Sequence, residues 1–243
     1  MVDLHGRVAV ITGASGGLGR LIAARLAAEG MRLALVARTE ATLEAAAAPV
    51  RAAGGVAVAV PTDLARPEHV EAMARRVEAE LGPPYLLVNA MNVDVMGLGT
   101  PFEQSTVEQF DHALSAKPRG YYLAMRALLP RMLERREGCV INLASGSGVS
   151  GAPGFALFSA SEFAIVGLTD SVAREVQDRG VHVTALCPWG AIDSERVRRL
   201  LPDRDPAGFM DPEDLVETVV FLAKRSPRAW VREVIVRAPS AVD

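Results

Sequence analysis

Short apolar runs rich in β-branched residues alternate along the chain with longer, alanine- and leucine-rich stretches that have one apolar face. The short runs are typical of buried strands and the longer ones of amphipathic helices. The predicted strands cover residues 7–12, 31–37, 56–60, 85–89, 139–144, 181–187 and 231–237. The predicted helices cover residues 18–30, 40–53, 67–81, 106–135, 158–178 and 212–224.

The predicted strands are apolar nearly throughout and do not alternate between polar and apolar residues. Strands of this kind must be covered on both faces, which favours a parallel sheet between two layers of helices. We therefore predict a single α/β domain over residues 1–243, a doubly wound Rossmann fold with a seven-stranded parallel sheet. Ligands of such folds bind at the carboxyl ends of the strands.

The formal net charge is −3 and the basic residues are spread along the chain, which argues against a nucleic acid partner. The two cysteines, Cys139 and Cys187, each lie in an apolar run, which indicates buried thiols instead of a disulfide or a metal site. No run approaches the ~18 apolar residues of a membrane span, and the N-terminus lacks a signal-peptide pattern. We expect a cytoplasmic protein without membrane contact.

The segment TGASGGLG, residues 12–19, follows the first predicted strand and leads directly into the first predicted helix. Its glycines, Gly13, Gly17 and Gly19, allow backbone N–H groups to approach a pyrophosphate, and the helix N-terminus adds free donors and partial positive charge. Ser15 and Leu18 complete the loop. A glycine loop in this position predicts a dinucleotide site, the alternative being a structural turn.

The second predicted strand ends at Ala37 and Arg38, where a site selective for NAD would place an acid on the ribose 2'-hydroxyl. Arg38 can instead pair with a 2'-phosphate, so the sequence favours NADP(H), the alternative being a solvated arginine. Asp63, just after the third strand, is placed to accept from an adenine amino group or to cap the helix that begins near Pro67.

Several segments together resemble the short-chain dehydrogenase/reductase family over essentially the whole chain: VAVITGASGGLG, TDL, the VN of LLVNAMN, INLAS, FSASE and the CP of LCPWG. The resemblance implies the seven-stranded doubly wound fold and hydride transfer between a nicotinamide and an alcohol or carbonyl. It also implies that Asn89 and Pro188 belong to the cofactor site.

Members of that family carry an Asn on the long helix, a Ser after the fifth strand, and a Tyr and a Lys one turn apart on the next helix. The matching positions hold Lys117, Ser145, Phe158 and Glu162, so Ser145 alone is retained. The family Tyr exchanges a proton with the substrate oxygen, and the Lys lowers the pKa of that Tyr. A chain with Phe158 and Glu162 should therefore not run the usual mechanism.

Lys117 and Glu162 replace an Asn and a Lys that lie close together in the family, so we predict an ion pair across the former catalytic site. Pro118 directly follows Lys117 and should interrupt the helical hydrogen bonding there.

Three ionisable groups are candidates to replace the lost proton donor: Asp94, Tyr121 and Glu162. For each a structural interpretation is the alternative: a solvated loop acid, a packing aromatic and a partner for a nearby cation. None of the four histidines follows a predicted strand as a catalytic base would; these are His5, His69, His112 and His182. A Ser-His-acid hydrolase and a metal site are not expected.

The nicotinamide end of the site departs further from the family pattern. Asn92 stands where the family has a glycine, and Trp189 separates Pro188 from the glycine that normally follows it. We expect binding to be weakened at that end of the cofactor.

Two functions stay open at this point. One is a non-standard NADP(H)-dependent oxidoreductase that acts on a carbonyl or alcohol of a hydrophobic small molecule. The other is a redox-inactive protein of this fold, either a pseudoenzyme that senses a cofactor or binds a partner, or a non-redox catalyst such as a cyclase or isomerase. The substrate cleft should be lined by residues 91–102, 146–155 and 189–209, and family resemblance implies a homodimer or homotetramer.

Overall fold

The computed structural model describes residues 1–91, 98–226 and 228–239. Within these ranges the chain forms seven strands and eight α-helices. The strands are β1 (Val8–Thr12), β2 (Arg32–Ala37), β3 (Val56–Pro61), β4 (Pro84–Asn89), β5 (Gly138–Leu143), β6 (Val181–Trp189) and β7 (Glu233–Arg237). The helices are α1 (Gly17–Ala28), α2 (Glu40–Ala52), α3 (Pro67–Leu81), α4 (Val107–Ser115), α5 (Lys117–Arg135), α6 (Ala156–Val176), α7 (Glu195–Leu200) and α8 (Pro212–Lys224).

The strands form one parallel sheet in the order β3-β2-β1-β4-β5-β6-β7. The chain builds outward from β1 to β3 and then crosses to the other side of β1, where β4 begins the second half. The reversal of strand order between β1 and β4 opens a crevice at the carboxyl ends of these two strands. The predicted fold class is confirmed.

Alternate residues of β1 point into two separate apolar cores. Ala9 and Ile11 belong to the core that includes residues of α1, α2 and α8, whereas Val8 and Val10 belong to the core that includes residues of α3 and α5. Burial on both faces explains why β1, β4 and β5 are buried throughout and carry mainly apolar residues.

The helix expected over residues 106–135 is two helices. α4 ends at Ser115 and α5 begins at Lys117, and Ala116 between them has a ψ of −85°, well outside helical values. Pro118 lies in the first turn of α5, where its missing N–H costs no helical hydrogen bond. The predicted interruption is therefore confirmed, and the single long helix is wrong.

α6 corrects the expectation that no segment could span a membrane. The stretch Ala156–Arg179 is long and apolar enough by length and composition. Core helices of soluble domains meet the same criteria. This helix packs against β6 and α5 and carries the fully buried Glu162. The absence of membrane contact stays a prediction.

Both cysteines are free and buried, as expected. Burial raises the pKa of the Cys139 thiol to about 11 and is the main cause that raises the pKa of the Cys187 thiol to about 12. The thiols therefore stay protonated at neutral pH and are poor nucleophiles. Among the described residues, no group of three or more His, Cys, Asp or Glu side chains could hold a metal ion.

Candidate functional site

The glycine loop between β1 and α1 is folded tightly against the end of β4. Gly13 has a φ of +71°, and a Cβ atom on it would lie 2.5 Å from the carbonyl oxygen of Ala90. A Cβ on Gly19 would overlap the carbonyl oxygen of Gly13. Any larger residue at either position would therefore push the loop away from the crevice.

Gly17 differs from these two glycines because it faces open space. A Cβ atom there would meet nothing within 4 Å. The preceding residue, Gly16, is the N-cap of α1 and supplies no side-chain hydrogen bond, so the first N–H groups of the helix keep their donor capacity. This open, uncapped helix start suits a phosphate group. Ser15 is half-buried in the same loop, and Leu18 packs against the core below it.

Arg38 follows the last residue of β2 and is exposed. Its guanidinium has no hydrogen-bond or ion-pair partner within residues 1–91, 98–226 and 228–239, so it is available to a ligand. Asp63 does not cap α3, which was one of its two predicted roles. Its Oδ1 accepts from the backbone N–H of Ala65 at 3.0 Å, within a turn that ends before the helix starts at Pro67.

Asn89, at the end of β4, lies in a chain of buried hydrogen bonds. Its Oδ1 accepts from Thr12 at 3.1 Å, and its Nδ2 donates to Asn142 of β5 at 2.8 Å. Asn142 in turn donates to Thr169 of α6 at 2.9 Å. The Asn89 side chain therefore holds the strand ends together, and a contact between this residue and a cofactor stays a prediction. Pro188 is likewise buried, within β6.

The predicted ion pair between Lys117 and Glu162 is confirmed. Lys117 Nζ lies 2.8 Å from Oε1 and 2.9 Å from Oε2 of Glu162, so one ammonium group donates to both carboxylate oxygens. The Glu162 side chain is 1% exposed and that of Lys117 is 14% exposed. The first residue of α5 and the middle of α6 are thus joined by a buried charge pair.

Tyr121 lies one turn after Lys117 and is fully buried. Its hydroxyl lies 3.1 Å from the carbonyl oxygen of Leu143 and 3.4 Å from that of Met91. Burial, together with the nearby Glu162 carboxylate, raises the pKa of Tyr121 well above its ordinary value. The structure therefore favours the packing interpretation of Tyr121.

Ser145 follows β5 and is half-buried. Its Oγ accepts from the backbone N–H of Ser147 at 3.2 Å, which leaves the hydroxyl hydrogen free to donate. Phe158 is half-buried on α6, with its ring centroid 6.2 Å from that of Phe155. Asp94 lies outside the described residues, so its candidate role stays a prediction.

Trp189, the last residue of β6, contacts two residues from other parts of the chain, Gly146 and Arg237. A Cβ atom on Gly146 would lie 2.6 Å from Trp189 Cγ, so the indole rests directly on this glycine. The Arg237 guanidinium of β7 lies 4.3 Å from the ring centroid. Arg237 is in register with Trp189 on the neighbouring strand, a pairing that no motif in the sequence signals.

The third segment expected to line a substrate cleft, residues 189–209, carries several charged side chains at its surface. A surface hollow of about 580 Å³ lies over it and over the start of α8. Its lining includes Asp193, Glu195, Arg198 and Asp211 beside Phe209. The extent of the substrate cleft and the hydrophobic character of its ligand stay predictions. Asn92, in the first segment, lies outside the described residues.

The reversal of strand order, the tight glycine loop, the uncapped start of α1 and the exposed guanidinium after β2 occur together at one edge of the sheet. This combination defines the dinucleotide-binding class of doubly wound α/β proteins.

The chain belongs to the short-chain dehydrogenase family, whose model matches residues 7–205. The chain is 32% identical over 223 residues to the 3-oxoacyl-(acyl-carrier-protein) reductase FabG of Staphylococcus aureus, covering 88% of this chain and 89% of that protein. It is 32% identical over 233 residues to 2-(S)-hydroxypropyl-CoM dehydrogenase 3 of Xanthobacter autotrophicus, covering 90% of each. A metagenomic short-chain oxidoreductase solved in complex with NADP superposes with a TM-score of 0.83 at 31% identity, covering 98% of this chain and 99% of that one.

Proposed function

We propose that this protein binds NADP(H) at the carboxyl edge of the sheet and has lost the tyrosine-dependent carbonyl reduction of its family. The observation that carries the proposal is the closed Lys117–Glu162 ion pair beside the position where Phe158 replaces the proton donor. The similarity to an oxidoreductase solved with NADP supports the choice of cofactor.

The residues on the β1–β3 side of the crevice fit the pyrophosphate and the 2'-phosphate of NADP(H). The loop from Gly13 to Gly19 and the start of α1 would hold the pyrophosphate, because they offer free N–H donors and open space at Gly17. Arg38 would pair with the 2'-phosphate through charge-assisted hydrogen bonds. Bound NADPH supplies a hydride, and NADP+ accepts one, where a substrate lies beside the nicotinamide.

Among the residues that the structure describes on the other side of the crevice, none is a proton donor of the family type. Glu162 and Lys117 already satisfy each other, with both carboxylate oxygens hydrogen-bonded. Tyr121, one helical turn after Lys117, is fully buried. Ser145 can orient a carbonyl oxygen, but a hydroxyl of ordinary acidity delivers no net proton near neutral pH.

A second candidate is a non-standard oxidoreductase that reduces a carbonyl of a hydrophobic small molecule with a proton from water. The free hydroxyl hydrogen of Ser145 and the neighbouring rings of Phe155 and Phe158 favour this alternative. The named activities of the two curated relatives, a reductase and a dehydrogenase, are consistent with it.

The absorbance of the reduced nicotinamide separates the two candidates. The purified protein is incubated with NADPH and a panel of carbonyls, and with NADP+ and the matching alcohols. We expect no turnover above the rate without protein, whereas nucleotide binding is retained in calorimetry. Turnover with any substrate of the panel would favour the second candidate.

Arg38→Ala should weaken binding of NADP(H) by about 10- to 100-fold, since a hydrogen bond between charged partners contributes roughly 1.5–3 kcal/mol. Binding of NAD(H) should not change, because it lacks the 2'-phosphate. The matched control is Arg75→Ala, which removes an exposed arginine from α3, away from the strand ends. Calorimetric titration of the wild type and both variants measures the effect. An unchanged preference for NADP(H) in Arg38→Ala would refute the role of Arg38.

We also propose that the protein forms a homodimer or homotetramer in the cytoplasm. Four apolar side chains on the outer faces of α4, α5 and α6 support self-association; they are Val107, Phe110, Tyr122 and Phe163, each at least 44% exposed. The two free, buried thiols are consistent with a reducing compartment.

A further inference from the structure

The strand order decides where the two halves of a dinucleotide would lie. A pyrophosphate at the start of α1 places one nucleotide over β2 and β3 and the other over β4, β5 and β6. Arg38 follows β2 and Asp63 follows β3, so the 2'-phosphoadenosine half belongs on that side. The nicotinamide half would therefore need free space above the ends of β5 and β6.

Trp189 lies at the end of β6, and its indole contacts both Gly146 and Arg237. Gly146, just beyond β5, lies against one side so closely that no side chain is possible there. The Arg237 guanidinium lies over the ring. The backbone is held as well, because Ala238 donates to the Trp189 carbonyl oxygen at 2.8 Å. These contacts hold the indole in the space above Gly146.

The loop beneath the indole cannot retreat to make room. A Cβ atom on Gly148 would lie 2.8 Å from the backbone carbonyl oxygen of Glu162, so this loop already touches the backbone of α6. α6 is itself held in place by the Lys117–Glu162 ion pair and by the hydrogen bond between Asn142 and Thr169. A nicotinamide would have to displace the indole from both Gly146 and Arg237.

We propose that Trp189 excludes the nicotinamide from its usual place, so that this site recognises 2'-phosphoadenosine nucleotides by their adenosine half alone. This inference rests on the proposed function and specifies its ligand class. A ligand held only by that half gains no binding energy from the nicotinamide ring or its oxidation state. The protein therefore binds NADP+, NADPH and 2'-phospho-ADP-ribose, which lacks nicotinamide, with nearly equal affinity.

Calorimetric titration of the wild-type protein with these three nucleotides tests the inference without any substitution. We expect dissociation constants within about threefold of one another, a difference of less than ~1 kcal/mol. Trp189→Gly should strengthen the binding of NADP+ at least about tenfold relative to 2'-phospho-ADP-ribose, because it vacates the space above Gly146.

The matched control is Trp230→Gly. Trp230 is the other tryptophan of the chain and also lies beside an arginine, with the Arg232 guanidinium 5.5 Å from its ring, but it lies before the start of β7 instead of at the carboxyl end of a strand. The ratio of the affinities for NADP+ and 2'-phospho-ADP-ribose should not change in this variant.

Two results would overturn the inference in distinguishable ways. Wild-type binding of NADP+ or NADPH that is about tenfold or more tighter than binding of 2'-phospho-ADP-ribose would show that the nicotinamide is accommodated, and the proposed function would stand. Failure of all three nucleotides to bind would refute both the proposed function and this inference. The wild-type comparison decides the matter even if Trp189→Gly does not fold.

Discussion

Phe158→Tyr, Glu162→Lys and Lys117→Asn, combined with Trp189→Gly, should give a protein that reduces carbonyl compounds with NADPH, whereas Phe158→Tyr alone should not. The combined variant restores a phenol, a cation that lowers the pKa of that phenol, and space for the nicotinamide. A well-placed general acid contributes roughly 10²–10⁴-fold to rate. We therefore expect at least a ~100-fold difference in rate between the combined and single variants, followed by the absorbance of NADPH.

The single variant should fail for an electrostatic reason. Position 158 lies one helical turn before Glu162 on α6, so a new phenol would lie near a carboxylate that raises its pKa. Calorimetric binding of NADPH to each variant is the control, since it separates a missing cofactor from a missing proton donor. Equal rates in the single and combined variants would show that Glu162 does not control the site.

Lys117→Met should lower the free energy of unfolding by roughly 3–5 kcal/mol, because it leaves the carboxylate of Glu162 buried without its cation. Lys117→Met combined with Glu162→Leu should recover most of that loss, since two apolar side chains of similar size carry no desolvation penalty. Urea denaturation of the wild type and both variants gives the three free energies.

Arg174→Met is the matched control for this measurement. It breaks the ion pair between Arg174 and Asp170 on the exposed face of α6, whose nitrogen and oxygen lie 2.9 Å apart. Solvent screening limits such pairs to about 0–1 kcal/mol. A loss in Lys117→Met no larger than that in Arg174→Met would mean that water reaches Glu162.

The central strands of this fold could be predicted from sequence because burial on both faces leaves apolar runs, whereas the edge strand β7 was signalled by its β-branched residues. An interruption just before α5 was also foreseeable, since Pro118 would remove a hydrogen bond from a continuous helix but removes none in a first turn. The complete separation of α4 from α5 at Ala116 was not, because nothing in the side chain of Ala116 disfavours a helix. α7 was not predicted because six residues are too few to show a helical period.

The chemistry of the site was partly foreseeable. The pairing of Lys117 with Glu162 could be predicted because both residues map onto neighbouring positions of the family pattern. The contact between Trp189 and Arg237 could not, because these residues meet only through the register of β6 and β7. The same limit applies to Asn89, whose side chain forms hydrogen bonds with Thr12 of β1 and Asn142 of β5.

Lys117 is the first residue of α5, where the partial positive charge of a helix N-terminus disfavours a cation. The Glu162 carboxylate offsets both the charge of the Lys117 ammonium group and the partial positive charge of the helix N-terminus. Its removal should therefore destabilise the protein more than removal of the acid from an ion pair elsewhere on a helix. Replacing either residue alone by the family residue would leave a buried charge unmatched in this protein. A return to the family residues therefore needs both substitutions together, or a neutral residue as the intermediate step.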